Sequence, residues 1–182
     1  MARVPYLNPS DLAPENRDLL ARNVNLYRAL VNNPDATRSF LVLAQYIRHH
    51  SKLDPRLREM AILQVGYVTR SPYEFSHHVK IGRDFGVTDA DIRAIEADTN
   101  GQPTTLSPLE RAVLRAAREL TAQPSLSDET NAELKKGLDN QRLIDLLLTI
   151  SFYCGVVRLL AALQIDVEDD YMPYLRQFPL PA

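Results

Sequence analysis

Residues 54–78 read as two consecutive helices joined by a short break, and this pair constrains the fold more than any other stretch. Asp54 can cap the first helix, and Pro55 suits its first turn because the N–H that proline lacks needs no partner there. Residues 60–68 are apolar on nearly every face, which is typical of a helix packed on several sides. We therefore expect a buried helix followed at once by a second one.

The start of the second helix carries the most suggestive chemistry in the chain. Ser71 and Pro72 fit the N-cap and the first helical position, and Glu74 fits the third position of a capping box. Glu74 and His78 are four residues apart and therefore share a helix face. Since Glu59 lies at the entrance of the preceding apolar run, two acids and one histidine come close to a single helix junction.

Two later helix starts repeat the same capping pattern. Thr88 precedes Asp91 by three residues, and Ser107 precedes Glu110 by the same interval. Each pair predicts a helix N-terminus closed by reciprocal side-chain hydrogen bonds.

Composition places the chain among soluble globular proteins. Its 182 residues are 45% apolar and carry a net charge of −2, which favours a single domain and gives no reason to expect nucleic acid or membrane as a partner. A single cysteine, Cys154, excludes an intramolecular disulfide and a two-cysteine redox pair. Since no signal peptide is recognisable, we expect a cytoplasmic location.

The rest of the chain follows helical periodicity, and no stretch alternates with period two, so the sequence predicts an all-α fold. We expect one domain over residues 1–182, with a core at about 35–165. An extended N-terminal arm is predicted for residues 1–13, and a non-helical tail lying against a surface for residues 166–182. The many apolar faces also indicate a homo-oligomer.

Each candidate residue also has a purely structural interpretation. Glu59 in a first helical turn can serve the helix dipole, or it can be a carboxyl group with raised proton affinity that relays protons. A capping box would fully explain Glu74. His78 fits a hydrogen-bonded core histidine as well as a general acid or base.

The histidine pairs do not have the spacing of a metal site. His77 and His78 are adjacent, as are His49 and His50, and neighbouring residues on a helix point in directions about 100° apart. The sequence contains no His-x-x-x-His spacing, so we expect no metal and no other cofactor. Cys154, inside a long apolar helix, is expected to pack as a small hydrophobe.

These motifs resemble the carboxymuconolactone decarboxylase family, which also contains the alkylhydroperoxidase-D-like proteins. The resemblance rests on Arg-Leu-Arg-Glu at residues 56–59, Tyr-Glu-Phe-Ser-His-His at residues 73–78, and residues 82–92. It implies an alkylhydroperoxidase-D-like fold of helical hairpins. It also implies a trimer or hexamer with a site between helices near a subunit interface.

The peroxidase branch of this family carries Glu followed by Cys-x-x-Cys-x-x-x-His. The corresponding positions here are Glu59, Ser71, Glu74 and His78, so both cysteines are absent. Peroxide reduction there needs one thiolate to attack oxygen and a second thiol to resolve the product. Peroxiredoxin-like activity is therefore the disfavoured alternative.

The decarboxylase branch is similar in having an acid and a histidine without the cysteine pair. It implies a carboxy-lyase or isomerase that moves protons on a small carboxylated metabolite. His78 would donate the proton and Glu59 would relay it, as the catalytic pair. The substrate would be bound by Ser71, Tyr73, Glu74 and His77. A non-catalytic protein that binds a ligand is a further alternative.

Overall fold

The computed structural model describes residues 2–181, which are helical with no strand, so the all-α prediction is confirmed. The α-helices in this part of the chain are α1 (Asn25–Leu30), α2 (Pro34–Gln45), α3 (Pro55–Val68), α4 (Pro72–Asp84), α5 (Asp89–Thr99), α6 (Pro108–Ala122), α7 (Asp128–Gly137), α8 (Asn140–Leu163) and α9 (Met172–Gln177). Short 3₁₀ helices cover Pro9–Asp11, Pro14–Leu20 and Asp169–Tyr171, and a π-helical turn, Tyr46–His50, extends α2.

Helix α3 lies at the centre of the molecule. Every residue from 57 to 67 is buried, and α4, α5, α6 and α8 pack around it. Asp54 caps its N-terminus by accepting a hydrogen bond of 3.0 Å from the backbone N–H of Leu57. The predicted helix packed on several sides is therefore confirmed, and the side chains of α3 can reach several neighbouring helices.

The junction between α3 and α4 is tight. The backbone N–H of Ser71 donates to the carbonyl of Gly66 at 2.9 Å, which ties the start of α4 to the end of α3. A Cβ atom on Gly66 would lie 3.1 Å from the backbone nitrogen of Phe75 and 3.2 Å from its Cα. The absence of a side chain at Gly66 therefore sets how closely the two helices approach.

We expect Gly66→Ala to lower the free energy of unfolding by about 1–3 kcal/mol, because the added methyl group meets backbone that cannot rotate away. Gly155→Ala is the matched control, since Gly155 is also helical and its Cβ would meet nothing within 4 Å. That control should leave stability unchanged or raise it by up to about 1 kcal/mol, because alanine favours helix. Urea unfolding measures both, and equal effects would contradict the close-approach argument.

The capping predictions have different outcomes. Thr88 with Asp91 and Ser107 with Glu110 form the predicted capping boxes. The predicted capping box at the start of α4 is wrong, because Ser71 makes no side-chain capping hydrogen bond and Glu74 is buried with 3% exposure. The Glu74 side chain turns into the protein, away from the helix end.

The predicted non-helical tail is also wrong, although the tail does lie against a surface. It contains a 3₁₀ turn and α9, which packs on α4. Pro173 lies in the first turn of α9, where a missing N–H costs no hydrogen bond, so the prolines of the tail do not exclude a helix. The predicted extended arm contains the 3₁₀ helix Pro9–Asp11. The outermost residues of the predicted arm and tail, 1 and 182, lie outside the described part.

Helix α8 is long and apolar enough to cross a membrane by length and composition alone. It packs against α3 and α6, and 44% of its most apolar window is buried within the molecule. That arrangement is typical of the core helix of a soluble helical domain.

Candidate functional site

His78 lies between two carboxylates at the centre of the α3–α4 hairpin. Its Nδ1 lies 2.7 Å from Oε2 of Glu59, and its Nε2 lies 3.0 Å from Oε1 of Glu74. All three side chains are at most 5% exposed. Glu59 comes from the first turns of α3 and the other two residues from one face of α4, so the hairpin brings the three side chains together. We call this group the acid–histidine cluster.

Arg58 completes the environment of Glu59. Its Nε donates to Oε1 of Glu59 at 3.0 Å, so the two oxygens of this carboxylate have different partners. The guanidinium group also donates to the backbone carbonyl of Arg48 at 3.0 Å and lies over the ring of Phe85 at 4.4 Å. Glu59 is therefore held in one orientation, with its second oxygen directed at His78.

These contacts set the protonation states of the cluster. Burial alone would raise the pKa of Glu59, but His78 and Arg58 outweigh it and hold that pKa below its usual range. Burial alone would lower the pKa of His78, but Glu59 and Glu74 outweigh it and raise that pKa. The hypothesis of raised proton affinity at Glu59 is therefore wrong. Near neutral pH an ionised Glu59 faces a protonated His78.

A cavity of about 40 Å³ lies beside the cluster, with room for only a few water molecules. Of the three cluster residues, Glu74 and His78 line it, and Glu59 does not. Its other walls come from α4, from α8 and from segments near the N-terminus, and include Arg22, Val24, Leu26, Tyr27, Phe40, Ala44, Arg48, Tyr73, His77, Ile81, Phe152, Tyr153 and Val156. A ligand entering this cavity would meet Glu74 and His78 first.

Glu74 has unused capacity to accept a hydrogen bond. Its Oε1 is 3.0 Å from His78, but the orientation lies outside hydrogen-bond geometry. This buried oxygen consequently has no hydrogen-bond donor among residues 2–181. A carboxylate left in that state beside a cavity favours a ligand or water that brings a donor.

Tyr153 in α8 belongs to the same cavity, and sequence reasoning missed its role. Its ring meets His78 edge-on with centroids 5.0 Å apart. Burial, together with the charges of Glu74 and Glu59, raises the pKa of Tyr153, so it remains an O–H donor throughout the ordinary pH range. One tyrosine in a long apolar helix carries no pattern that would assign it to the site.

A second histidine, His77, is clamped between aromatic rings. It stacks on Tyr73 at 4.1 Å and on Tyr171 at 3.5 Å between centroids. Its Nε2 lies 2.8 Å from Glu168, and that carboxylate also accepts from the backbone N–H of Asn25 at 2.6 Å and from the Tyr73 hydroxyl at 3.2 Å. The effect of burial on the pKa of His77 is larger than the opposing effect of Glu168, so this pKa is lowered. A neutral imidazole therefore donates a hydrogen bond to an ionised Glu168.

The structure thus brings most of the predicted site residues together. Tyr73 and His77 line the cavity beside the acid–histidine cluster. Ser71 does not, since it lines a separate depression of about 170 Å³ between the start of α4 and the end of α8. The catalytic and binding roles of all these residues stay predictions.

Cys154 lies apart from the cavity. It is 7% exposed, with its Sγ 3.5 Å from the hydroxyl of Thr121. Within residues 2–181, no group of three or more His, Cys, Asp or Glu side chains is arranged to hold a metal ion. The predicted absence of a cofactor stays a prediction.

Residues 34–119 match the profile of the carboxymuconolactone decarboxylase family. The matched range contains Glu59, Glu74 and His78, but not Tyr153 or Glu168. No protein among the curated ones matches the sequence.

Solved structures share the fold over the whole chain. An alkylhydroperoxidase AhpD core, an uncharacterized peroxidase-related protein from Ralstonia eutropha, has a TM-score of 0.81 at 17% identity, covering 99% of this chain and 98% of its own. The debrominase Bmp8, as a cysteine-to-alanine variant in complex with 2,3,4-tribromopyrrole, has a TM-score of 0.81 at 20% identity over 98% of both chains. A peroxidase-related protein from Silicibacter sp. has a TM-score of 0.72 at 17% identity, covering 93% of this chain and 92% of its own. At these identities the likeness shows the fold.

Proposed function

This chain belongs, through residues 34–119, to the carboxymuconolactone decarboxylase family, and from that premise we propose that it catalyses cofactor-independent proton transfer on a small carboxylated metabolite. The observation that supports this proposal is the acid–histidine cluster, which begins at buried Glu59 and ends at the cavity with His78 and Glu74. The cluster holds an acid and a base next to each other, as proton transfer to and from carbon requires.

In the lyase form of this chemistry, the bond between a carboxylate and its neighbouring carbon breaks and carbon dioxide leaves. The electron pair stays on the substrate as an enolate, which the positive charge of His78 stabilises. His78 then gives its proton to the carbon and regains one from solvent, while Glu59 holds the ring in place. In the isomerase form, Glu74 takes a proton from one carbon and His78 returns one to another.

Glu59 acts only through His78 in this scheme, because it does not line the cavity. Its contact of 2.7 Å with Nδ1 fixes the ring orientation and keeps the imidazole protonated. Glu59 is therefore a positioning and relay residue, and His78 and Glu74 are the groups that touch the substrate.

Thiol-based peroxidase chemistry has little support in this chain. It needs a thiolate at the site, and Cys154 lies outside the cavity in α8. A carboxylate, Glu74, occupies the position where the peroxidase pattern has its second cysteine. Since a carboxylate cannot form a sulfenic acid or a disulfide, the chemistry of that branch does not transfer.

Ligand binding without turnover is the second candidate, and it is favoured by the buried oxygen of Glu74 that has no hydrogen-bond donor among residues 2–181. A volume of about 40 Å³ is less than a metabolite needs, so side chains of the wall must move before one enters. Half-buried Arg22 and Phe152 belong to that wall.

We propose further that the protein works in the cytoplasm as a homo-oligomer, a trimer or hexamer as in its family. In support, Val42 on α2 is 69% exposed and Ile144 on α8 is 62% exposed. A contiguous apolar patch of roughly several hundred Å² is typical of a face that self-association covers, and Val42 and Ile144 are candidate members of such a patch.

The test is an assay of purified protein with carboxymuconolactone and with small unsaturated carboxylates such as crotonate, in heavy water. We expect carbon dioxide release or deuterium incorporation at carbon, measured by NMR. The rate of deuterium incorporation should fall by about 10²–10⁴-fold in Glu74→Gln, because Glu74 takes the proton in the isomerase form. Glu96→Gln is the matched control, because Glu96 is exposed on α5. If the wild-type protein shows neither reaction, the proposal is removed. An unchanged rate of deuterium incorporation in Glu74→Gln would remove its isomerase form.

A further inference from the structure

We infer that Asp145 is a positioning residue for the acid–histidine cluster, although it lies outside the cluster and does not line the cavity. It is the only acidic residue of α8, and it is 2% exposed. The π-helical turn after α2 and the guanidinium group of Arg58 connect its carboxylate to Glu59. The inference rests on the proposed function only for its effect on a reaction rate, and not for its effect on His78.

The Asp145 carboxylate holds both ends of the π-helical turn. One oxygen accepts a hydrogen bond of 2.7 Å from the hydroxyl of Tyr46, where the turn begins. The other accepts from the backbone N–H of Lys52 at 2.6 Å, just after the turn ends. Burial alone would raise the pKa of Asp145, but these hydrogen bonds outweigh it and hold that pKa below its usual value. An ionised carboxylate therefore fixes the turn to α8.

This hold keeps the backbone carbonyl of Arg48 free of backbone donors. In an α-helix that carbonyl accepts from the N–H four residues later, which belongs to Lys52. In a π-helix it accepts from the N–H five residues later, which belongs to Leu53. Here the Lys52 N–H donates to Asp145, and the Leu53 N–H donates to the hydroxyl of Ser51 at 3.2 Å. The carbonyl can therefore serve a side chain.

That side chain is Arg58, and the contact decides how the carboxylate of Glu59 is shared. Nη1 of Arg58 donates to the Arg48 carbonyl at 3.0 Å, while its Nε donates to Oε1 of Glu59 at 3.0 Å. Oε2 of Glu59 is left to Nδ1 of His78 at 2.7 Å. Since a guanidinium group can bind both oxygens of a carboxylate, the carbonyl keeps Arg58 from competing with His78.

Removal of the carboxylate on α8 should therefore weaken the contact between Glu59 and His78. The freed N–H of Lys52 can return to the Arg48 carbonyl and turn it along the helix axis, as in an α-helix. Buried Arg58 then loses one acceptor and should move onto both oxygens of Glu59, because an unpaired buried donor is costly. His78 consequently loses part of the interaction that favours its charged form.

Asp145→Ala is expected to raise the acid dissociation constant of His78 at least about threefold, which means that the pKa of His78 falls. NMR of the ¹⁵N-labelled imidazoles over pH measures this constant without any substrate, and His78→Gln identifies the signal. The other groups that face His78, namely Glu74 and Tyr153, are unchanged in this variant. In the rate of deuterium incorporation, the fall on the alkaline side should move to lower pH by the same amount.

Two further variants separate this role from folding. Tyr46→Phe removes one of the two hydrogen bonds at a residue that is 36% exposed, so it should fold and change the constant in the same direction by less. Asp145→Asn should resemble the wild type, because an amide can accept from Lys52 and donate to the Tyr46 hydroxyl. Circular dichroism establishes that each variant is folded, and Tyr46→Phe decides if Asp145→Ala is not.

Glu119→Ala is the matched control. Glu119 is also a carboxylate that holds the start of a helix, since it accepts from the backbone N–H of Ser127 at 2.8 Å and from the hydroxyl of Thr130 at 2.7 Å. Its loss should lower the melting temperature and leave the pKa of His78 unchanged, because no contact leads from it to Arg58.

Three results would overturn the inference: an unchanged pKa of His78 in the folded variants Asp145→Ala and Tyr46→Phe, a raised pKa, or an equal fall in Glu119→Ala. A fall in Asp145→Ala with none in Glu119→Ala supports it. If that fall is found in a protein that neither releases carbon dioxide nor incorporates deuterium, the inference stands and the proposed function is removed.

Discussion

Replacing His78 with glutamine is expected to lower the rate of proton transfer by about 10²–10⁴-fold, because an amide has no proton that it can give to carbon and regain. Glutamine still offers hydrogen bonds to Glu59 and Glu74, so the variant separates proton transfer from packing. Deuterium incorporation into crotonate at fixed pH measures the effect. His50→Gln, at an exposed position, should keep the full rate.

The pH dependence of the wild-type rate gives a second readout of the same residue. Two carboxylates raise the pKa of His78 against the effect of burial, so its acid form persists above the ordinary value of 6.5. The rate should therefore hold through neutral pH and fall as the pH rises through this raised pKa. A rate that instead increases on the alkaline side would show that His78 is not the proton donor.

Arg58→Met is expected to lower the free energy of unfolding by about 3–5 kcal/mol, because it leaves the carboxylate of Glu59 buried with one positive partner fewer. Arg58 is 2% exposed and Glu59 1%, so solvent cannot replace the lost contacts. Arg142→Met is the matched control, since Arg142 pairs with Asp139 at half-exposed positions where an ion pair is worth about 0–1 kcal/mol. Urea unfolding monitored by circular dichroism measures both variants.

The double variant with Glu59→Gln shows whether the ion pair causes the loss. If it does, the double variant should be less destabilised than the sum of the two single variants, because neutral glutamine no longer requires Arg58. Strict additivity would assign the loss to packing of the arginine stem against Phe85.

The hairpin could be predicted from local rules, because its causes are local. Asp54 caps α3, and the four-residue spacing places Glu74 and His78 on one face, as the structure shows.

The prediction of a capping box at the start of α4 is wrong because a glutamate at the third helical position can either bond the backbone or turn inward. A buried imidazole that favours the inward orientation is not visible in the local sequence. The prediction of a raised pKa for Glu59 is wrong for a related reason. The direction of that shift depends on where the Arg58 side chain points, and the local sequence does not show this.

The remote parts of the site had no local pattern to reveal them. Tyr153 is 75 residues beyond His78. Glu168 is 91 residues beyond His77. What selects these contacts is the packing of α8 on α3 and of the tail on α4, which only the folded chain provides.

The clamp on His77 also orders events during synthesis. Tyr73 and His77 leave the ribosome well before Glu168 and Tyr171, which hold and cover them. A nascent chain that has completed α4 therefore exposes the imidazole and its aromatic neighbour until translation has passed Tyr171. The residues that line the cavity end at Val156, so the clamp on His77 closes only after the whole lining has been synthesised. A ribosome stalled between these two points would display a complete lining with His77 not yet held in place.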